Sequence, residues 1–162
     1  MTPVPHPKPL TAALCSLLAV FVAGCASPGG SSRVGIDQVP MYGGMDRGAV
    51  PALKEGDGRL IAQASAAFGS RDAASKAWAD RGFRLYAQGE EKTAMARFNQ
   101  AWLLDPKNPE SFWGFGLILR DRGDLDGGRR MMQRAHSMGL REKRFLDAYA
   151  TMGQWEKMMG RQ

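Results

Sequence analysis

The sequence predicts an all-α fold: a short helical-repeat solenoid of antiparallel helix pairs, carried behind a disordered tether. Three observations predict it. Apolar residues fall at helical spacing from Arg59 onward, beginning with Leu60, Ile61, Ala64 and Phe68. Large, small and apolar residue types recur at a fixed offset of 34 positions between about Ser75 and Glu142. Glycine and proline crowd the stretch before Arg59 and thin out after it. At 162 residues the chain has the size of one domain.

The first 24 residues read as a targeting segment. Met1 to Pro9 carry Lys8 and no acid, and the 13 residues from Leu10 to Val22 carry no charge. That run suits a secretory signal and falls short of the ~20 residues that span a bilayer as a helix. It ends in Val22-Ala23-Gly24-Cys25. This ending resembles the lipobox of bacterial lipoproteins, in which small residues let a peptidase hold the backbone closely and the thiol takes a diacylglycerol. The resemblance implies cleavage before Cys25 and covalent lipid on it, with no other cofactor expected. Ala26, rather than Asp, follows the cysteine and implies sorting to the outer membrane, facing the periplasm. A single acyl chain anchors marginally and several anchor durably. The alternative is an ordinary secretory signal with an incidental cysteine.

Cysteine usage and charge narrow the function classes. Cys15 leaves with the signal and Cys25 is alkylated, so the mature domain has neither thiol nor disulfide. Its stability must come from packing. The chain carries +6, and loss of residues 1–24 removes Lys8 alone, leaving +5. Such a charge in a cytosolic chain points to nucleic acid. Export argues against that partner and favours anionic headgroups, lipopolysaccharide or acidic proteins.

Residues 25–58 read as a flexible, lipid-anchored linker. They hold Pro28-Gly29-Gly30-Ser31-Ser32, Gly43-Gly44, Gly48, Gly56 and Gly58, with little apolar periodicity. Extended fully, a spacer of about thirty residues reaches ~100 Å from the lipid. Val39-Pro40-Met41-Tyr42 is more apolar than a spacer requires; it is either plain linker or a piece that docks on the helical domain. The helical domain then covers residues 59–162. Gly69 is placed to stop a first helix, and Ser70 to cap a second running to Ala87.

The repeat supplies the architecture. The offset of 34 takes Trp78 to Phe112, Gly82 to Gly116, Leu85 to Leu119, Gly89 to Gly123, Ala94 to Gly128, Phe98 to Met132 and Ala101 to Ala135. Large residues fill the space between two antiparallel helices, and small ones let backbones approach. Gly89 and Gly123 end the first helix of each pair, and Pro109 starts the next pair. On these residues the chain resembles the tetratricopeptide repeat family, a helix–turn–helix unit of 34 residues. The units would be residues 75–108 and 109–142, with a capping helix over 143–159 interrupted near Gly153. Gly128 and Leu140 depart from the family pattern, where Ala and Pro are usual. Two and a half units are few, so self-association is one way to cover the exposed ends.

Little catalytic chemistry remains in the mature chain. His136 stands alone near a helix end, where a structural role fits best. One His without a free Cys makes no metal site, and Gly114-Phe115-Gly116 lacks the rest of a dinucleotide loop. These absences lead to the expectation that the protein is not an enzyme. A surface is what remains. The family resemblance puts Ala79, Phe83 and Tyr86 of the first unit, with Glu110, Trp113, Leu117 and Arg120 of the second, along a partner-binding groove: apolar, aromatic, with one cation. Such a groove suits an amphipathic helix or an extended apolar segment. Equally, it could be covered by Leu60, Phe68 or Val39–Tyr42. Arg129, Arg130 and Arg134 form a basic run, either a solvated helix face or a contact for anionic lipid or lipopolysaccharide. The function expected is an outer-membrane-anchored adaptor that gathers envelope proteins or their segments; the alternative is an envelope protein contacting anionic lipid through the basic face.

Overall fold

The computed structural model describes residues 35–158. Cys25 and the signal segment lie outside them. Three short 3-10 turns, Ile36–Gln38, Pro40–Gly44 and Arg47–Ala49, lead into six helices. These are α1 (Pro51–Phe68), α2 (Arg71–Ala87), α3 (Glu91–Leu104), α4 (Pro109–Asp121), α5 (Leu125–Ser137) and α6 (Lys143–Met158). No strand occurs among the described residues. The fold is all-α, with α2–α3 and α4–α5 as packed helix pairs.

The local signals act where the sequence places them. Gly69 closes α1 with φ 81°, and Ser70 Oγ accepts from Ala73 N to cap α2. Gly89 and Gly123 take φ 79° and 86° at the turns inside the two pairs. Asn108 Oδ1 accepts from Glu110 N at 3.0 Å to cap α4, and Pro109 follows at its first position. Asn108 also ties the pairs together: its Nδ2 donates to Ser75 Oγ at 2.9 Å, which in turn donates to Ala101 O at 2.7 Å. All three groups are buried, so the chain of bonds satisfies polar atoms that would otherwise be costly.

The core runs along α3 and α4. Phe98, Phe112, Phe115, Ile118, Met95 and Met132 are fully enclosed, and Phe145 of α6 joins them. A second cluster joins Ala64 of α1 with Ala74 and Leu104, flanked by Leu60, Ile61 and Trp78. Close approach needs glycine at Gly82, where an added Cβ would stand 2.6 Å from Phe98 Cε1, and at Gly114, which meets the same ring.

Two expectations need correction. The linker expected over 25–58 is folded where it is described: Gly56 and Gly58 lie within α1, which starts at Pro51 rather than Arg59. Residues 35–44 dock on α3, as the alternative reading of Val39–Tyr42 allows. Asn99, 0% exposed, holds this strap: its Oδ1 accepts from Tyr42 N at 3.1 Å, and its Nδ2 donates to Asp37 O and Val39 O, both at 2.9 Å. Pro40 and Tyr42 are buried there, Arg47 lies 4.0 Å over the Tyr42 ring, and Arg47 bonds Asp57 of α1 at 2.5 and 2.7 Å. Finally, α6 passes through Gly153 without a break. Phe145 and Met152 pack into the core from this one helix and outweigh the weak helix propensity of glycine.

Candidate protein-interaction face

The seven groove residues do not share one fate. Ala79 (0% exposed), Trp113 (5%) and Leu117 (6%) are buried. Their places in an open groove are a correction: helices this close leave no space above them. Phe83, Tyr86, Glu110 and Arg120 are half-buried and form what reaches the surface of α2 and α4. The cover over Trp113 is also not the one expected. Its ring stands 4.4 Å from Phe83 and 5.7 Å from Phe145, so α2 and α6 enclose it from either side. Leu60 packs in the α1 cluster, Phe68 is 48% exposed, and Val39–Tyr42 lies on α3.

The sign of the face is reversed as well. Arg120, read as the groove's cation, is engaged inside the chain. It pairs with Asp121 at 2.7 Å, and its Nη2 donates to Tyr86 Oη at 3.0 Å. Tyr86 donates to Asp121 in turn. Burial, then the Asp121 hydrogen bond, pushes the Tyr86 phenol up to about 12. This knot clasps the C-terminal ends of α2 and α4.

In the first turn of α4, the character is acidic. Glu110 Oε2 is buried and has no hydrogen-bond partner among the described residues. Burial holds the Glu110 carboxyl above its ordinary range, and the charges of Asp80 and Glu142 push the same way, with Lys76 opposing them. Trp113, one turn further along the same helix, has a buried indole N–H that is likewise without a partner. Asp80, Glu142 and Phe145 were not legible as part of this site, because they come from stretches of chain some thirty residues before and after Glu110. Asn99 was findable as a lone amide in the apolar stripe of α3.

The basic run is divided. Arg130 and Arg134 are exposed on α5, with the Arg134 guanidinium 4.6 Å over the Phe112 ring. Arg129 is half-buried beside Asp126 at 3.8 Å and lines a cleft of about 250 Å³ with Gln133, Tyr149, Ala150, Met152 and Gly153. Its place in a single open basic face is therefore a correction. His136 stacks on Tyr149 with ring centroids 5.1 Å apart. Among the described residues no helix is long and apolar enough to cross a membrane, and no group of three metal-ligating side chains forms.

No family model matches the chain, and no solved structure matches it. A curated protein of Pseudomonas putida, named "Probable biofilm formation methyltransferase WspC", is 32% identical over 57 residues. The match covers 35% of this chain and 13% of that protein. The expectation that the chain is not an enzyme is corrected by this likeness, since a stretch of it is shared with a protein carrying an enzyme's name. The chain spans about an eighth of that relative's length, and the named activity belongs to the relative as a whole.

Proposed function

We propose that the protein is an envelope scaffold: a short tetratricopeptide-like repeat domain, lipid-anchored at Cys25 to the outer membrane, that holds a segment of a partner protein on the face of α2 and α4. One observation carries the reading. Two helix pairs, with α3 and α5 starting 34 positions apart, set α2 beside α4 so that Phe83 meets Trp113 and Asp80 bears on Glu110 across separate units. A face built from repeated elements, with side chains poised at its rim, is the arrangement by which helical repeats bind other chains. The short likeness to one part of a much longer protein fits a reusable module.

The docked strap changes the anchor's reach. About ten residues separate Cys25 from Gly35, which span at most ~35 Å when extended. A lipidated chain would therefore be held near the membrane instead of roaming ~100 Å from it.

Two measurements test the reading. Labelled palmitate should enter the wild-type protein and not Cys25→Ser, and only the former should sediment with outer membrane. A photo-crosslinking residue at Asp80 should trap a defined envelope protein that the same residue at Thr93, exposed on α3, does not. Equal trapping from both positions would sink the scaffold; absence of label would sink the anchor.

A further inference from the structure

We propose that the flank of the helix pairs bearing Trp78 and Phe112 binds the phosphate headgroups of an anionic membrane through Arg81, Arg97, Arg130 and Arg134. This surface is separate from the α2–α4 face and stands without the partner segment read there. It is built on a repeated piece of packing. Trp78 and Phe112 each lie four residues before a glycine, Gly82 and Gly116, against which the second helix of the pair packs. An added Cβ would stand 2.6 Å from Phe98 at Gly82 and 2.6 Å from Met132 at Gly116, so the two pairs match in geometry 34 positions apart. Each ring then carries a guanidinium from the second helix of its own pair. Arg97 lies 4.7 Å over Trp78, and Arg134 lies 4.6 Å over Phe112. The two cations therefore share a flank and are set one repeat apart, on the order of 10 Å at the spacing of packed helices.

A ring orients a guanidinium without cancelling its charge. Arg97 Nη1 also donates to Gln100 at 2.7 Å, again a neutral partner. Exposed Arg81 stands beside it: Arg81 precedes Gly82 as Arg97 precedes Phe98, and in an antiparallel pair both positions fall on the same side. Burial first, then the charge of Arg81, pulls Arg97 below its ordinary value, and no carboxylate counters them. Exposed Arg130 lies one turn before Arg134 on α5. None of these four pairs with an acid among the described residues, whereas Arg47, Arg120 and Arg122 each do. Cations gathered without an anion suit phosphate, which a guanidinium meets with two parallel hydrogen bonds. Their spread over two repeats suits several phosphates laid out on a surface. The docked strap brings such a surface within reach, since about ten residues between Cys25 and Gly35 hold a lipidated chain within ~35 Å of the headgroups.

The test uses the full chain in dodecyl maltoside micelles doped with phosphatidylglycerol or with phosphatidylcholine, or given inorganic phosphate at the same concentration. The Trp78 indole N–H resonance, identified as the one missing from Trp78→Phe, reports binding. A saturable shift is expected with phosphatidylglycerol alone, and ~1 M salt, with a screening length of ~3 Å, should abolish it. Arg134→Gln, one repeat away from the reporter, should need about fivefold more phosphatidylglycerol for half the shift, and Arg97→Gln with Arg134→Gln about twentyfold more. Arg84→Gln, an exposed cation six residues along α2 on another face, should leave the titration unchanged. Equal response to both lipids overturns the proposal, as does an equal response to inorganic phosphate, absence of a saturable shift, or an equal loss in Arg84→Gln. The comparison of lipids stands on the wild-type chain even if a variant fails to fold. A chain that takes no palmitate yet answers to phosphatidylglycerol would sink the anchor and uphold this surface.

Discussion

At the scale of single residues, glycines and orphaned polar atoms govern the outcome. The Phe98 ring fits against Gly82 and Gly114, and a methyl group at either position would meet it within contact distance. Gly114→Ala should therefore destabilise the protein by about 1–3 kcal/mol through overpacking. A urea titration should show a lower midpoint at unchanged slope. Phe98→Leu in the same chain should cost less than the two separate losses together, because the smaller side chain relieves the clash. Tyr86 makes a separate prediction. With its phenol raised to about 12 by burial and Asp121, absorbance at alkaline pH should show one tyrosine ionising late. The stabilisation from its hydrogen bonds is fully present below pH 10, the ordinary value, and is lost as pH climbs toward about 12. Asp121→Asn should bring that titration back toward the ordinary value. Glu110 has the same sign at the acid end. Its raised carboxyl favours the protonated form, so stability declines as pH rises above 4.5 through the folded value. Glu110→Gln should raise the melting temperature at pH 7 and leave it unchanged at pH 3, where both forms are neutral. A site that weakens its own fold to keep a charge is how binding sites commonly behave.

At the scale of elements, the strap on α3 is the main departure from periodicity. Met41 and Tyr42 both adopt φ 51°, a left-handed conformation that costs roughly 1–2 kcal/mol per residue outside glycine. The strap holds because Asn99 satisfies three of its main-chain groups, Arg122 donates to Gln38 O at 2.7 Å, and Pro40 and Tyr42 are buried. Asn99→Leu leaves those buried groups unpaired and should cost about 1–3 kcal/mol. Limited proteolysis should then cut within residues 35–50 while α3 and α4 stay protected. Survival of the strap in that variant would show that apolar burial alone retains it.

At the scale of the whole molecule, stability is unevenly distributed. Every residue of α4 from Ser111 to Ile118 is buried, whereas α1 buries Ala64 alone. Stacked repeats derive stability from neighbours, so end elements open first. Amide hydrogen exchange should be slowest in α4, slow in α3, and fastest among the helices in α1. Uniform protection from α1 to α5 would contradict this ordering. The unequal protection also bears on the proposed interface: α4, which supplies Glu110 and Arg120 to that face, is the most buried element and offers its side chains preorganised.

The sequence by itself determined the helix class, the pairing and most boundaries. Periodicity and capping are local: Ser70, Gly69, Asn108 and Pro109 act on groups within a few residues of themselves, and the 34-residue offset repeats a packing solution that each pair needs. Tertiary structure alone decided three things. It folded residues 35–44 onto α3, because the partner amide at Asn99 lies some sixty positions away in the chain. It carried α6 through Gly153, because core contacts override a weak local propensity. It reversed the sign of the candidate face, burying Ala79, Trp113 and Leu117, occupying Arg120 with Asp121 and Tyr86, and leaving Glu110 Oε2 buried without a hydrogen-bond partner among the described residues. Charge on a surface depends on which side chains have already found each other, and that is settled only when distant segments meet.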